Sequence, residues 1–339
     1  MAAKRRGRQK SSSSSKKIVA YAAIGIIALA AVSVTAFAPK APAPVSPEEQ
    51  SRQQALMLFQ DRFCGAGGQT QSTNYLTEFG LPSSCEMPLA IEATGGKVWY
   101  VSTKNGTLGS YNTAEGKFDQ EQRVPSWPTR DTPVEFSMSW SAKADGNGNI
   151  WLTDERQRAL WRFDVSEQTF EMYPVSARLP VSIDFDSQGM LYFAGVQSTS
   201  IFIGDPAKMK NGTSDGITEV PLPLDGFSSV DKSLVATGSL VVDRQNNKVW
   251  VSLLAFEKKG QLFRYDIDSA KIDRVVDLPD ELTSPVGLAL DDSGKLWVTD
   301  HGTNVFFSYD QDTGDITKFV TSVASPRIYA GRDLPKAYT

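Results

Sequence analysis

The stretch GKLWVTDH (294–301) decides the fold, because four other parts of the chain copy its pattern. Each copy begins at a turn residue and continues as a short apolar strand with an aromatic ring near its centre. The copies are GKVWYVST (96–103), GNIWLTDE (148–155), GMLYFAG (189–195) and NKVWVSLL (247–254). Their aromatic residues are Trp99, Trp151, Tyr192, Trp250 and Trp297, separated by 52, 41, 58 and 47 positions. A unit recurring at this spacing is typical of a fold built from repeats.

Further strands flank each copy and recur with it. An apolar strand precedes the turn and ends at an acid, as in Pro285-Val-Gly-Leu-Ala-Leu-Asp291. A third strand follows and ends in an aromatic residue and an aspartate: LWRFD (160–164), LFRYD (262–266) and FFSYD (306–310). A fourth strand ends the unit, as in TFEMYP (169–174) and DITKFV (315–320). Four short strands per repeat predict an all-β fold, a β-propeller of four-stranded blades with five complete blades.

The ring of blades is predicted to be incomplete. Residues 74–82 (NYLTEFGLP) copy the fourth-strand sequence GITEVPLP (216–223), although no complete blade precedes them. Propellers commonly close by adding a strand from one terminus to a blade made by the other, which leaves no open sheet edge. We therefore expect residues 74–82 to belong to a further, partial blade. We also expect the domain at 74–339 to be truncated at its C-terminus.

The N-terminal segment has the features of a membrane anchor. Residues 1–17 carry seven Lys/Arg and no acid, and residues 18–38 carry no charge. As a helix the second segment is about 31 Å long, enough to cross a hydrocarbon core of roughly 30 Å. The basic flank predicts a cytoplasmic N-terminus, a single pass through the cell membrane and an extracytoplasmic propeller. The alternative is a cleavable signal peptide ending at Ala36-Phe37-Ala38, but the apolar run exceeds the usual 7–15 residues.

Residues 39–73 are predicted to form a linker and a short neck helix. Ser46 is the candidate N-cap, followed by Pro47 and, three residues after the cap, by Glu49. Cys64 follows this helix and Cys85 precedes the first full blade. On the oxidising side of a membrane the two cysteines are expected to form a disulfide, with two separate buried thiols as the alternative.

Composition excludes several classes of function. The whole chain has a net charge of −4 despite its basic tail, so the propeller is acidic and is not expected to bind nucleic acid. A single histidine, His301, excludes every metal motif that needs two histidines. Two cysteines are too few for a four-cysteine zinc site.

The repeat resembles the propellers of virginiamycin B (streptogramin) lyases, and also those of the wider NHL and gluconolactonase group. The resemblance rests on the pattern that runs from Pro285 to His301 and covers about residues 74–325. It is best at 140–176 and 284–320. It implies a propeller fold, and as a possible activity the opening of a lactone ring by elimination. It further implies a histidine base and a divalent metal held by carboxylate and histidine ligands.

The ligand site of such a fold is expected in the funnel where the loops of all blades converge. The loops concerned join the second strand of a blade to the third, and the fourth strand to the next blade. The candidate funnel residues are Trp140, Asp154, Glu155, Ser284 and Asp300. His301 is the candidate base. The metal ligands are left unassigned, because no second histidine is present; a divalent metal such as Mg²⁺ is expected only if the chain is a lyase.

Two main functions remain open on the sequence. One is a membrane-anchored extracytoplasmic propeller that binds an unknown ligand or protein on its funnel face without catalysis. The alternative is a metal-dependent lyase or lactonase that acts on a cyclic ester in the same funnel. A purely structural role in the cell envelope is a third hypothesis.

Overall fold

The computed structural model describes residues 46–47, 50–51, 72–83, 86–127, 137–225, 235–255 and 259–321. Within these ranges no helix is long and apolar enough to cross a membrane. Residues 18–38, Cys64 and Cys85 lie outside them, so the transmembrane helix and the disulfide stay predictions. At the predicted neck helix, the Gln50 amide donates to the Ser46 carbonyl oxygen at 2.9 Å, and the rest of that helix stays a prediction.

The predicted five blades of four antiparallel strands are confirmed. In blade 1 the fourth strand is divided into two short pieces that both pair with the third. Blade 1 contains β1 (Pro88–Thr94), β2 (Lys97–Ser102), β3 (Thr107–Asn112), β4 (Lys117–Phe118) and β5 (Gln122–Arg123). Blade 2 contains β6 (Ala142–Ala144), β7 (Ile150–Asp154), β8 (Ala159–Asp164) and β9 (Thr169–Pro174), and blade 3 contains β10 (Pro180–Phe185), β11 (Leu191–Gly195), β12 (Ser200–Gly204) and β13 (Ile217–Pro221). Blade 4 contains β14 (Val235–Asp243), β15 (Lys248–Ala255), β16 (Gln261–Asp266) and β17 (Lys271–Asp277), and blade 5 contains β18 (Pro285–Leu290), β19 (Leu296–Asp300), β20 (Val305–Tyr309) and β21 (Ile316–Val320).

The apolar core lies between neighbouring blades. Because side chains alternate along a strand, the second strands of blades 2, 3 and 4 bury residues against both neighbouring blades. In β7, Ile150 and Leu152 face blade 1, whereas Trp151 faces blade 3. Among the described residues, four such cores join blades 1 and 2, 2 and 3, 3 and 4, and 4 and 5. The aromatic stripe of the sequence is thus a packing feature, as the first four anchor rings are all buried.

In blades 2, 3 and 5 an aspartate at the turn between the first and second strands positions the anchor ring. Oδ1 of Asp291 accepts hydrogen bonds from the amides of Ser293 and Lys295 at 3.0 Å each, which closes the turn. Its Oδ2 accepts a hydrogen bond from the indole Nε1 of Trp297 at 2.8 Å. Asp145 makes the same contact to Trp151 at 3.0 Å. The acid that ends the first strand therefore both shapes the turn and orients the ring.

A hydroxyl group near the end of the second strand holds the start of the first. Oγ1 of Thr299 accepts a hydrogen bond from the Gly287 amide at 3.1 Å, at the point where β18 shifts its register against β19. Thr153 accepts from the amide of Trp140 at 2.9 Å in blade 2. The threonine of the repeat thus satisfies backbone groups that an irregular strand leaves without a partner.

Residues 72–83 join none of the five sheets. They contain an isolated bridge between Ser72 and Thr77, and the ring of Phe79 lies 4.9 Å from that of Tyr111 in blade 1. Phe79 is 58% exposed. The role of this segment in a further blade stays a prediction.

Two tryptophans of blade 2 test how the core is distributed. Trp151 is fully buried, with its ring 5.2 Å from Tyr173 and 5.8 Å from Phe185, whereas Trp140 is 45% exposed. We expect Trp151→Ala to lower the free energy of unfolding by about 3–5 kcal/mol, because it leaves a cavity between blades 2 and 3. Trp140→Ala is the control and should cost less than about 1 kcal/mol. Equal losses in urea-unfolding measurements would contradict this assignment.

Candidate functional site

The loops expected to form the funnel lie at one edge of each sheet. There, the loop after the second strand is tied by a backbone hydrogen bond to the loop before the first strand. The donor–acceptor pairs are Lys104 N–Glu86 O (3.1 Å), Glu155 N–Met138 O (3.0 Å), Val196 N–Leu179 O (3.1 Å) and His301 N–Ser284 O (2.7 Å). We call this edge, with both sets of loops, the funnel edge.

Blade 2 presents an aromatic ring and a carboxylate together at the funnel edge. The indole Nε1 of Trp140 donates to Oε2 of Glu155 at 2.7 Å. The backbone of Trp140 is held by Thr153, as described above. An exposed ring fixed in this way at its polar end offers a flat apolar surface beside a carboxylate.

The neighbouring Asp154 is turned into the blade instead. Its side chain is fully buried, and its Oδ1 accepts from the Ser137 hydroxyl at 2.5 Å and the Gln157 amide at 3.0 Å. Its Oδ2 accepts from Gln157 Nε2 at 2.7 Å and from Trp161 Nε1 at 3.0 Å. Four donors from its own blade leave this carboxylate little capacity for a ligand.

Asp300 occupies the same position in blade 5, but only half of its carboxylate is satisfied. Oδ1 accepts a hydrogen bond from the Ser284 amide at 2.7 Å. Oδ2 is buried and has no hydrogen-bond partner within the described ranges. The hydrogen bond from the Ser284 amide brings Ser284 and Asp300 together at the funnel edge, and the Ser284 hydroxyl lies 3.3 Å from that of Thr283. A buried carboxylate oxygen without a donor is costly and favours a ligand or solvent that supplies one.

The difference between the two aspartates follows from three substitutions in the repeat. Blade 5 has Thr303 where blade 2 has Gln157, and Phe307 where blade 2 has Trp161, which removes both donors to Oδ2. Blade 5 also has Gly302 where blade 2 has Arg156. A Cβ on Gly302 would lie 3.2 Å from Oδ2 of Asp300.

His301 lies beside this carboxylate on the loop after β19. Its amide donates to the Ser284 carbonyl oxygen, as Glu155 donates in blade 2, and its side chain is half-buried. His301 and Glu155 are therefore the blade 5 and blade 2 residues at one repeated position. The structure gives no hydrogen bond, within the described ranges, between the Trp140–Glu155 pair and the Ser284–Asp300–His301 group.

Blade 1 adds a buried polar cluster at the same edge. Glu86 is 3% exposed; its Oε1 accepts from the Ser83 amide at 2.8 Å, and its Oε2 has no partner among the described residues. Burial, followed by the charge of Glu121, raises the pKa of Glu86 above 4.5. Burial, together with a hydrogen bond to Glu121, also raises the pKa of Tyr100.

The described residues do not fit a divalent metal. Nowhere within the described ranges do three His, Cys, Asp or Glu side chains come together in a group able to hold a metal ion. No catalytic step through a metal is derived for this chain.

Sequence reasoning missed Ser137, Thr283 and Glu86. Ser137 and Thr283 each precede their blade's aspartate, Asp154 or Asp300, by the same interval. That regular spacing is the signal that could have identified both residues. Glu86 carries no repeat signal.

A separate cavity of about 510 Å³ opens at the opposite edge, between the turns of blades 4 and 5. Its lining includes Arg264, Arg274, Lys295 and Asp310. Arg264 is held by Asp273, with both hydrogen bonds at 2.9 Å, so much of this charge is neutralised within the fold.

Comparisons with solved structures give the relatives of this fold. A streptogramin B lyase structure has a TM-score of 0.55 and 21% sequence identity and covers 71% of each chain. The fold is similar to that of virginiamycin B lyase. A catalytically inactive variant of the Staphylococcus aureus virginiamycin B lyase, a histidine replaced by alanine, solved with quinupristin, has a TM-score of 0.55 at 18% identity. It covers 70% of this chain and 71% of the lyase. Hydrazine synthase of Kuenenia stuttgartiensis also matches, with a TM-score of 0.54 at 11% identity, covering 75% of this chain and 70% of that one.

The structural similarity shows that the fold is a propeller like that of virginiamycin B lyase. At identities this low it shows nothing about activity. No family model and no curated protein sequence matches the chain.

Exchanging one residue between blades tests the account of the two aspartates. We expect Gln157→Thr to lower the free energy of unfolding by about 1–2 kcal/mol, because Asp154 loses a donor to its buried Oδ2. Thr303→Gln should raise it by up to about 1 kcal/mol by giving Asp300 the missing donor. Urea unfolding measures both changes. A loss of stability in Thr303→Gln would contradict the equivalence of the two sites.

The pKa of Glu86 predicts a pH dependence of stability. Because the pKa is raised in the folded state, the folded protein binds more protons than the unfolded chain above pH 4.5. The contribution of Glu86 to the free energy of unfolding is therefore complete below pH 4.5 and decreases as the pH rises through the raised pKa. Glu86→Gln should flatten the fall of the thermal midpoint between about pH 4 and pH 8, whereas the control Glu167→Gln, at an exposed turn, should not. Parallel curves for wild type and Glu86→Gln would refute this.

Proposed function

We propose that the chain is a membrane-anchored, extracytoplasmic binding module whose ligand or protein partner docks on the funnel edge. Residues 18–38 would provide the anchor, with residues 1–17 in the cytoplasm. The Cys64–Cys85 disulfide is part of the same proposal, since it requires an oxidising location.

The observation that carries the proposal is the exposed Trp140, held by its hydrogen bond to Glu155 at 2.7 Å. Trp140 is 45% exposed, so part of its ring is accessible to a partner at the funnel edge. Its fixed orientation lowers the entropy lost on binding. A rigid ring beside a carboxylate suits a ligand with a flat apolar group and a hydrogen-bond donor or positive charge.

Blade 5 supplies a second recognition element. Asp300 offers a buried oxygen to which no described residue donates, and His301 is the next residue on the loop. Buried polar groups that a correct ligand satisfies give strong discrimination, because a ligand without the matching donor leaves them unpaired. The two elements favour binding of a polar molecule with at least one hydrogen-bond donor.

The alternative is a lactone-opening enzyme acting through His301. The observation in its favour is that His301 directly follows Asp300, whose buried Oδ2 has no hydrogen-bond partner within the described ranges. The similar S. aureus lyase is catalytically inactive when a histidine is replaced by alanine. The described residues offer no metal set for such an enzyme.

A ligand screen with four proteins tests the proposal. A library of small polar and aromatic compounds, with quinupristin included, would be screened by the shift in thermal midpoint of wild type, Trp140→Ala and His301→Ala. The control Asp312→Ala lies in the turn between β20 and β21, at the opposite edge. Compounds that bind at the funnel edge should stabilise wild type and the control, and lose at least tenfold in affinity in Trp140→Ala.

Chromatography of quinupristin incubated with the protein, with and without Mg²⁺, separates the two functions. Intact quinupristin together with funnel-dependent binding of any compound supports the binding module. Ring opening that His301→Ala abolishes would establish the enzyme instead. Hits that bind equally well to Trp140→Ala would place the site elsewhere.

A further inference from the structure

The cavity at the opposite edge of the sheets, between the turns of blades 4 and 5, has a volume of about 510 Å³. Four cationic side chains line it: Lys248 of β15, Arg264 of β16, Arg274 of β17 and Lys295 in the turn before β19. We call it the basic cavity. Sites for small molecules usually have volumes of roughly 300–1,000 Å³. The basic cavity therefore has room for a ligand larger than a single inorganic ion, at a place separate from the funnel edge.

Two arginines occupy directly opposed positions on neighbouring strands of blade 4. Arg264 of β16 pairs with Arg274 of β17 in the register of the sheet. Like charges at opposed positions destabilise a pair of strands. Asp273 neutralises one of the two charges: its Oδ1 accepts from Nε of Arg264 and its Oδ2 from Nη2 of Arg264, both at 2.9 Å. Arg274 makes no ion pair with any described residue, so the second charge is not offset in this way.

The guanidinium group of Arg274 is held in place at one nitrogen. Its Nη1 donates to the carbonyl oxygen of Gln311 at 2.7 Å and lies 3.5 Å from the hydroxyl oxygen of Tyr309. Its Nε and Nη2 have no hydrogen-bond partner among the described residues. These two nitrogens form one edge of the planar group, the same edge with which Arg264 binds both oxygens of Asp273. Arg274 thus presents a fixed group whose two-donor edge matches an oxyanion.

Lys295 is a second cation of the basic cavity that is only loosely paired. Its Nζ lies 3.7 Å from Oδ2 of Asp310. The other oxygen of that carboxylate, Oδ1, accepts the amides of Asp312 and Thr313 at 3.1 Å each, so Asp310 is bound into its own turn. The lysine ammonium group can therefore donate to a ligand without leaving a carboxylate that depends on it.

The other cations of the cavity are balanced within blade 4. Lys248 forms an ion pair with Asp266, as Arg264 does with Asp273. Net charge therefore provides little long-range attraction for an anion. Recognition has to come from short, directional hydrogen bonds at Arg274, and these favour a group with two oxygens on one carbon or phosphorus atom.

We propose that the basic cavity binds the carboxylate or phosphate group of a small polar molecule. Two oxygens of this group accept hydrogen bonds from Nε and Nη2 of Arg274, and Lys295 supplies a further donor. Ser293 and Gln311 also line the cavity and suit the polar remainder of the molecule. The bound oxyanion supplies the negative charge that the opposed arginines lack, and it contacts blades 4 and 5 together.

Thermal unfolding of the full chain with defined anions tests the proposal. Sodium phosphate and sodium citrate are compared with sodium chloride at equal ionic strength. Salts such as phosphate stabilise many proteins because they are excluded from the protein surface, so the readout is the difference between variants. The thermal midpoint of wild type should rise more in at least one oxyanion than in chloride, and Arg274→Gln should lose this additional rise. The control Lys271→Gln, which removes an exposed charge from the same strand, should keep it.

Calorimetric titration of the same proteins gives the affinities. Arg274→Gln should weaken oxyanion binding at least tenfold, and Arg274→Lys should recover only part of the loss, because an ammonium group cannot donate two parallel hydrogen bonds. A preference for phosphate or for citrate would identify the oxyanion that the ligand carries. Equal affinities in wild type and Arg274→Gln, or full affinity in Arg274→Lys, would overturn the proposal.

Arginine side-chain NMR on wild type supplies a measurement that does not depend on the folding of any variant. The Nε–Hε signal of Arg274 should shift on titration with the oxyanion that binds, because this group gains an acceptor. The signal of Arg264 is the internal control, since its Nε already donates to Asp273, and it should shift at most a third as far. An unchanged Arg274 signal, or equal shifts of both signals, would refute binding at the Arg274 edge.

Discussion

The hydrogen bond between a turn aspartate and the anchor ring is the interaction on which the rest of the fold depends. Burying an indole contributes a large apolar area, but its N–H must find a partner. Oδ2 of Asp145 supplies this partner to Trp151, while Oδ1 of the same carboxylate accepts the amides of Asn147 at 2.9 Å and Asn149 at 3.0 Å. One side chain therefore fixes the turn, the start of the second strand and the direction of the ring.

Blade 4 shows how the same interaction connects neighbouring blades. The Trp250 indole donates to Gln311 of blade 5 at 3.1 Å, and Gln311 donates to Oδ2 of Asp243 at 3.2 Å. The aspartate still serves the ring, but through a residue of the next repeat. Because each blade completes the polar and aromatic contacts of the one before it, an isolated blade would leave buried groups without partners. Stability therefore depends on contacts between neighbours, as in other repeat proteins.

The repeat allowed the five blades to be predicted, because the aspartate, the turn and the ring are close together in sequence. The position of the funnel edge was predictable from the sequence, but the direction in which its side chains point was not. Asp154 and Asp300 occupy the same place in the motif, yet the donors that bury Asp154 come from Ser137 on the preceding loop and Trp161 on the next strand. The hydroxyl of the threonine before each aspartate accepts hydrogen bonds from backbone amides at the start of the blade. Such contacts depend on which strands become neighbours in space.

The position directly after this aspartate explains how one scaffold can carry different chemistry in different blades. Glu155, Val196 and His301 all donate their amide to the loop before the first strand, a bond that is independent of the side chain. The backbone is thus fixed while the side chain is free to vary at little cost in stability. One residue earlier, the aspartate is bound into blade 2 and only half bound in blade 5. The fold therefore leaves recognition to a few loop positions and to Trp140, whose exposed ring contributes little to the core.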